Sequence, residues 1–185
     1  PVRLEIVRHA RVVSPYARTL SVDGDTARLW VGAQVDAWTD PALRAEVAVS
    51  LRGERVAAAS VPLTLSRGEL GIDVTLEVPN AQLWWPNGLG ARPLYDVSIR
   101  VFDGETLADE TSLRTGLRTV QLIQEADAEG RTFILAVNGV KVFCKGANWI
   151  PAESLLPRLT REDYARQIRR AADVHMNMLR VWGGG

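Results

Sequence analysis

Three short segments hold the residues best suited to handling a ligand. In Gln82-Leu83-Trp84-Trp85-Pro86-Asn87-Gly88-Leu89-Gly90, two adjacent tryptophans precede a Pro-Asn-Gly turn. Indole faces pack well on the C–H faces of pyranose rings, so this pair suits a sugar-stacking platform. The structural alternative follows from strand geometry. Neighbouring side chains in an extended segment point opposite ways, so one Trp would plug a β core and the other would pack on a neighbouring domain. In Lys145-Gly146-Ala147-Asn148-Trp149-Ile150-Pro151, a strand leads into a helix-bearing loop. The carboxyl ends of parallel barrel strands face active sites, which would put Asn148 and Trp149 near a substrate. Alternatively, Gly146 and Pro151 only shape a connecting loop. In Asn177-Met178-Leu179-Arg180-Val181-Trp182, Arg180 and Trp182 share one strand parity, with Leu179 and Val181 on the other. Arg180 could orient a carboxylate with paired hydrogen bonds, and Trp182 could stack on a substrate. The following Gly183-Gly184-Gly185 lacks the lysine and the spacing of a phosphate loop.

Other chemistries find less support. Glycoside hydrolysis needs two carboxyls, about 5–5.5 Å apart in a retaining enzyme, and no convincing pair is legible. Glu153 is the only acid in the loop before the expected helix, and Asp127 and Glu129 fall in a solvated glycine-containing turn. No Ser-His-Asp arrangement is suggested, since His175 is expected at a helix C-terminus, where a cation is favoured. The single cysteine, Cys144, excludes an internal disulfide and a cysteine-rich metal site. It is expected to be buried and inert in the apolar strand VFC. His9 and His175 lie far apart and outside any ligand-spaced motif, so no metal is expected. The 22 basic and 22 acidic groups balance, which argues against a dedicated nucleic-acid binder. No apolar run approaches the ~18 residues of a membrane-spanning helix. The opening PVRLEIVRHA lacks the apolar core of a secretion signal, which says little about the address of a longer parent; the compartment is left open, with a cytoplasmic one as the expectation.

The elements that must position these residues show two periodicities. Up to about Thr119 the pattern has period two. Val2, Leu4 and Ile6 alternate with charged or outward residues. So do Ala45, Val47, Val49 and Leu51, then Leu70, Ile72, Val74, Leu76 and Val78, then Tyr95, Val97, Ile99 and Val101. One face of each run is apolar and the other wet, as in antiparallel strands over one core. Turn signals at Asp23-Gly24-Asp25, Thr39-Asp40-Pro41, Arg52-Gly53-Glu54, Ser66-Arg67-Gly68 and Phe102-Asp103-Gly104 separate the runs. Seven or eight such strands predict an all-β, immunoglobulin-like β-sandwich over residues 1–119, without the cysteine pair of antibody domains.

A second regime begins near Val120. Asn138-Gly139 predicts a two-residue type I′ turn in a hairpin between FILAV and VKVFC. Thr160 is a good helix N-cap, with Asp163 in the capping-box position and Glu162 beside it. Tyr164, Ile168, Ala171 and Ala172 recur at helical spacing, with a helix end expected near His175 and a strand in MNMLRVW. Strand, helix and strand make a βαβ unit. A lone unit cannot cover a parallel sheet on both faces, so residues 120–185 read as a hairpin plus the start of a larger, incomplete α/β domain.

Three strings now carry a family likeness: LWWPNGLGARPLYDVSIRV, then RTGLRTV, then FILAVNGVKVFCKGANWIPAESLLPRLTREDYARQIRRAADVHMNMLRVWGGG. They resemble glycoside hydrolase family 2 in its β-mannosidase branch. The likeness is dense from Leu83 to Gly185 and looser before Asn80. Trp149 stands where β-galactosidases and β-glucuronidases carry His or Lys. The resemblance implies a jelly-roll domain, an immunoglobulin-like sandwich and a (β/α)8 barrel in succession. Pro1 would begin just after the jelly roll. Residues 145–148 would be the first barrel strand, 161–174 the first helix and 177–182 the second strand, all packing against jelly-roll and barrel domains of the same chain. The acid/base and nucleophile glutamates would lie on later strands, beyond Gly185, so no catalytic residue is expected within these 185 residues.

By the same resemblance, Trp182 corresponds to the tryptophan walling the −1 mannose subsite. Arg180 corresponds to the arginine that supports the nucleophile. Asn148 and Trp149 correspond to first-strand residues near the pocket. The implied protein is a retaining exo-β-mannosidase acting on terminal β-mannosides of oligosaccharides or glycans, with no metal or organic cofactor. This stretch alone would be inert. Two rivals stand beside it. One is another family 2 exo-glycosidase, such as a β-galactosidase, β-glucuronidase or exo-β-glucosaminidase. The other is a non-catalytic sugar- or protein-binding immunoglobulin-like module.

Overall fold

The structure is a computed structural model that describes residues 10–37, 43–66 and 69–183. The strand expected over residues 2–6, His9, the Thr39-Asp40-Pro41 turn, Arg67-Gly68 and Gly184-Gly185 lie outside the described residues. The chain forms two compact units. One runs to Leu83 and resumes over Pro93–Thr119; the other takes Trp84–Arg92 and the chain from Val120 onward.

The first unit is a sandwich of two antiparallel four-stranded sheets. One sheet has the order β1-β2-β6-β5, with β1 Ala10–Asp23, β2 Thr26–Ala37, β5 Thr64–Ser66 and β6 Glu69–Val78. The other has the order β4-β3-β7-β8, with β3 Leu43–Leu51, β4 Glu54–Pro62, β7 Tyr95–Asp103 and β8 Thr106–Thr115. The period-two runs become the core. Leu29 and Val31 of one sheet are buried with Val47, Val49, Val97, Ile99 and Val101 of the other. Pleat geometry sends the intervening residues outward, so β3 and β7 alternate strictly over most of their length. The buried Tyr95 keeps a polar partner: the Gln82 N–H donates to its hydroxyl oxygen at 2.8 Å. The Val12 N–H donates to Asp109 Oδ2 at 2.8 Å, tying β1 to β8.

Strand β1 runs through Ser14-Pro15, which period-two reading would break. It can do so because it is an edge strand, and its pairing with β2 slips between Val13 and Tyr16 where Ser14 takes φ 51°. A bulge on an edge tolerates proline, since the missing N–H faces no partner strand.

The second unit has a three-stranded antiparallel sheet, order β11-β10-β9, built from β9 Val120–Ile123, β10 Ile134–Val137 and β11 Val140–Val142. The expected turn is present, with Asn138 at φ 50° and Gly139 at φ 77°. Strand β9 is a partner the sequence reading did not assign. The hairpin is shorter than expected: pairing ends at Val142, and Phe143 stands 84% exposed. Cys144 is therefore half-buried just outside the ladder, not buried within a strand as its apolar neighbours suggested. The cause is local, because the chain must leave this sheet to enter the next at Gly146.

Strands β12 Gly146–Trp149 and β13 Met178–Val181 pair in parallel, joined through a 3-10 turn at Leu156–Arg158 and helix α1, Arg161–Asp173. Helix α1 opens on the expected capping box. The Asp163 N–H donates to the Thr160 hydroxyl, and the Thr160 N–H donates to Asp163 Oδ2. It closes in a Schellman motif. The Met176 N–H donates to the Ala171 carbonyl and the His175 N–H to that of Ala172, with His175 at φ 61°. Among the described residues, no helix is long and apolar enough to cross a membrane.

Candidate functional site

The β12–β13 pair carries the residues that the sequence singled out. Its register sets Asn148 opposite Arg180 and Trp149 opposite Val181. Parallel pairing demands a close approach where the strands begin. A methyl group on Gly146 would lie 1.9 Å from the Met178 carbonyl oxygen, so only glycine fits there.

Asn177 seats the second strand before the ladder starts. Its N–H donates to the Lys145 carbonyl at 2.8 Å, its Oδ1 accepts from the Lys145 N–H at 2.9 Å, and its Nδ2 donates to the Phe143 carbonyl at 3.0 Å. One amide side chain thus stands in for a strand edge. The sequence reading missed this role. An Asn directly before a short apolar strand was the available signal, since its amide can both donate to and accept from a neighbouring backbone.

On one face of the pair, Arg180 Nη1 donates to Asn148 Oδ1 at 3.1 Å. Both side chains are exposed, and the guanidinium keeps further donors for an anionic or hydroxyl partner. Trp182 follows one step beyond Val181. Its N–H donates to the Trp149 carbonyl at 3.0 Å, extending the register past the strand end. It shares the parity of Arg180, and its side chain is 49% exposed. Asn148, Arg180 and Trp182 thus share one side of the ladder by register and parity.

Trp149 goes to the opposite face. Its ring stacks on Tyr164 of α1, with centroids 6.2 Å apart and planes 15° apart. With Leu156, Ile168, Leu179 and Val181 it lines an apolar hollow of about 390 Å³. Strand alternation explains the split, because adjacent residues of one strand cannot share a face. Glu153 is occupied locally, accepting from the Leu155 N–H at 3.2 Å.

The Trp84–Arg92 segment is neither a strand nor part of the sandwich core. It is a closed loop. The Trp85 N–H donates to the Ala91 carbonyl, and the Leu89 N–H to that of Pro86 across a turn with Gly88 at φ 82°. The Trp85 ring lies so close to Gly90 that a methyl group there would meet it at 2.8 Å. Both tryptophans are half-buried in the second unit.

Known proteins share the fold and much of the sequence. The sequence profile of glycosyl hydrolases family 2 matches residues 10–118. A beta-mannosidase B from Emericella nidulans is 36% identical over 167 residues, covering 90% of this chain and 19% of its own. Another, from Neosartorya fischeri, is 36% identical over 186 residues, covering the whole of this chain and 21% of its own. The crystal structure of beta-D-mannosidase from Dictyoglomus thermophilum superposes with a TM-score of 0.87 at 31% identity, covering 98% of this chain and 22% of that one. The exo-chitosanase CsxA of Amycolatopsis orientalis shares the fold at TM-score 0.68 and 23% identity. The chain thus spans about a fifth of the length of the curated relatives it matches. A family profile that covers most of the sandwich, with relatives that align on through the βαβ unit, leaves one assignment: this chain belongs to glycosyl hydrolase family 2.

Proposed function

We propose that this chain is the sandwich domain (residues 1–119) and the first barrel segment (120–185) of a retaining exo-β-mannosidase. The observation that carries this reading is the Asn148–Arg180 pair at the carboxyl ends of two parallel strands, where (β/α)8 enzymes build their sites. The mannosidase relatives support the choice of sugar. In this reading β12 and β13 are barrel strands one and two, and α1 is the first outer helix.

The reaction needs two glutamates flanking the scissile bond, one protonating the leaving oxygen and one attacking the anomeric carbon. Both belong to the remainder of the longer polypeptide. Within this chain, Arg180 donates to the nucleophile's carboxylate and holds it ionised and oriented. Asn148 fixes the guanidinium that does so, and Trp182 offers an indole face to the sugar in the −1 subsite. Trp149, facing α1, serves the wall behind the pocket. The 185 residues alone turn over no glycoside.

The test is hydrolysis of aryl β-mannoside, β-galactoside, β-glucuronide and β-glucosaminide by the full-length polypeptide. Preference for the mannoside is expected, with kcat lowered at least tenfold by Arg180→Ala. Preference for another sugar keeps the family and overturns the branch. No turnover by a folded full-length protein overturns the enzymatic reading and favours a binding module, which glycan binding lost on Trp84→Ala or Trp85→Ala would identify.

A further inference from the structure

The loop Trp84–Arg92 lies far from β13 in sequence, yet it bonds to the backbone that leads into it. Asn87 Nδ2 donates to two carbonyls at once: that of Ala172, in the last turn of α1, at 3.2 Å, and that of Met176, directly before Asn177, at 3.1 Å. Its Oδ1 accepts from Arg92 Nη1 at 2.7 Å. These surroundings admit one amide orientation only, with the nitrogen toward two acceptors and the oxygen toward a cation. At its other end the loop is held by Asn138 Nδ2, which donates to the Trp84 carbonyl at 3.1 Å.

From Met176 the linkage continues without a gap. Asn177 clamps Lys145 and Phe143, the β12–β13 ladder begins at Gly146, and Arg180 reaches Asn148 two residues farther along. Helix α1 has no buried residue to fix its C-terminal end by packing. Hydrogen bonds to its last carbonyls therefore carry much of that task.

We propose that the Trp84–Arg92 loop is the positioning element of the Asn148–Arg180 pair, with Asn87 as the positioning residue and Arg92 as the group that orients it. This gives the Trp-Trp-Pro-Asn-Gly motif a task other than sugar stacking. The Trp85 ring against Gly90 and the hydrogen bonds across the turn hold the loop in one shape, and that shape presents a single amide to the helix end. The consequence for catalysis rests on the reading of Arg180 as a pocket residue; the structural claim does not.

Asn87→Asp is the decisive variant, because it keeps size and the Arg92 partner but sets a carboxylate against two carbonyls. Amide exchange at residues 176–182 is expected to quicken at least tenfold in the 185-residue chain, with strands β3 and β7 unchanged. Arg92→Ala should move the same amides by about threefold. In the full-length polypeptide acting on an aryl β-mannoside, Asn87→Asp should lower kcat about tenfold with KM within about twofold, because Arg180 acts in the transition state. Unchanged exchange at 176–182, or equal acceleration throughout the chain, overturns the proposal. So does a full-length variant in which KM rises and kcat does not fall. If the parent polypeptide cleaves no glycoside, the functional reading falls, and the exchange experiment still decides the positioning role.

Discussion

Ile99 of β7 is fully buried, whereas Ile168 of α1 stands 54% exposed, although both lie on the apolar face of an amphipathic element. The contrast extends across the two units. In the sandwich, every inward residue of β3 and β7 meets a facing sheet. In the second unit, Phe143, Ile150, Ile168, Val181 and Trp182 are exposed, and Pro86, Ala136 and Val137 are its buried aliphatic side chains among the described residues. A sandwich closes on itself, because two sheets supply each other's cover. A parallel strand pair with one helix has cover on one face only, and local devices hold it together: a capping box, a Schellman motif and asparagine clamps. Within this stretch of chain, burial stabilises one unit and backbone satisfaction organises the other.

The largest effect should break this comparison if it is wrong. Ile99→Ala is expected to cost the sandwich about 2–5 kcal/mol, and Ile168→Ala no more than about 0.5 kcal/mol, because alanine's helix propensity offsets the little burial lost. Denaturant unfolding followed separately in each unit would measure both. Equal costs would mean that the second unit owns a core of its own.

Gly146→Ala comes next. The 1.9 Å approach to the Met178 carbonyl leaves no room for a methyl group, so the β12–β13 pairing should be lost. Hydrogen exchange would report this as loss of protection at the Asn177, Met178 and Trp182 amides, with the sandwich strands intact. Retained protection would show that the ladder tolerates a shift that the geometry forbids.

A smaller, stabilising change tests the local devices. His175 holds a left-handed conformation that glycine adopts without cost, so His175→Gly should stabilise the helix end by about 0.5–1 kcal/mol. Slower exchange at residues 172–176 is the readout.

The smallest effect is a pH dependence. The Thr160 hydroxyl, the Thr160 N–H and Arg166 hold the Asp163 carboxyl below the usual carboxylate range. A depressed folded value means that this contribution is present above the ordinary carboxylate pKa and is lost as pH falls through the lower folded one. Helicity of α1 should therefore decline below about pH 4, and Asp163→Asn should flatten that decline.

Much of this was legible in the residues. Val97, Ile99 and Val101 announced a strand with one buried face, Asn138-Gly139 its hairpin, and Thr160 with Asp163 the start of a helix. Parity alone paired Arg180 with Trp182. Three features were not legible. Cys144 falls outside its hairpin because the chain changes sheets there. Trp149 stacks on Tyr164, on the face of β12 opposite Asn148, since which face of β12 receives the helix is not written in β12 itself. The Trp84-Trp85 segment reads as sugar platform or core plug, and it is a closed loop whose Asn87 bonds to Ala172, 85 residues onward.

The sequence by itself determined the elements, because periodicity, caps and turns are interactions between residues a few positions apart. It also determined the family, through strings long enough to be specific. Only the tertiary structure decided the partners: Asn87 with Ala172 and Met176, Asn177 with Lys145, Asn148 with Arg180. Those pairings join residues more than 30 positions apart, where an amide side chain carries no mark of the carbonyl it will meet until the backbone brings the two together.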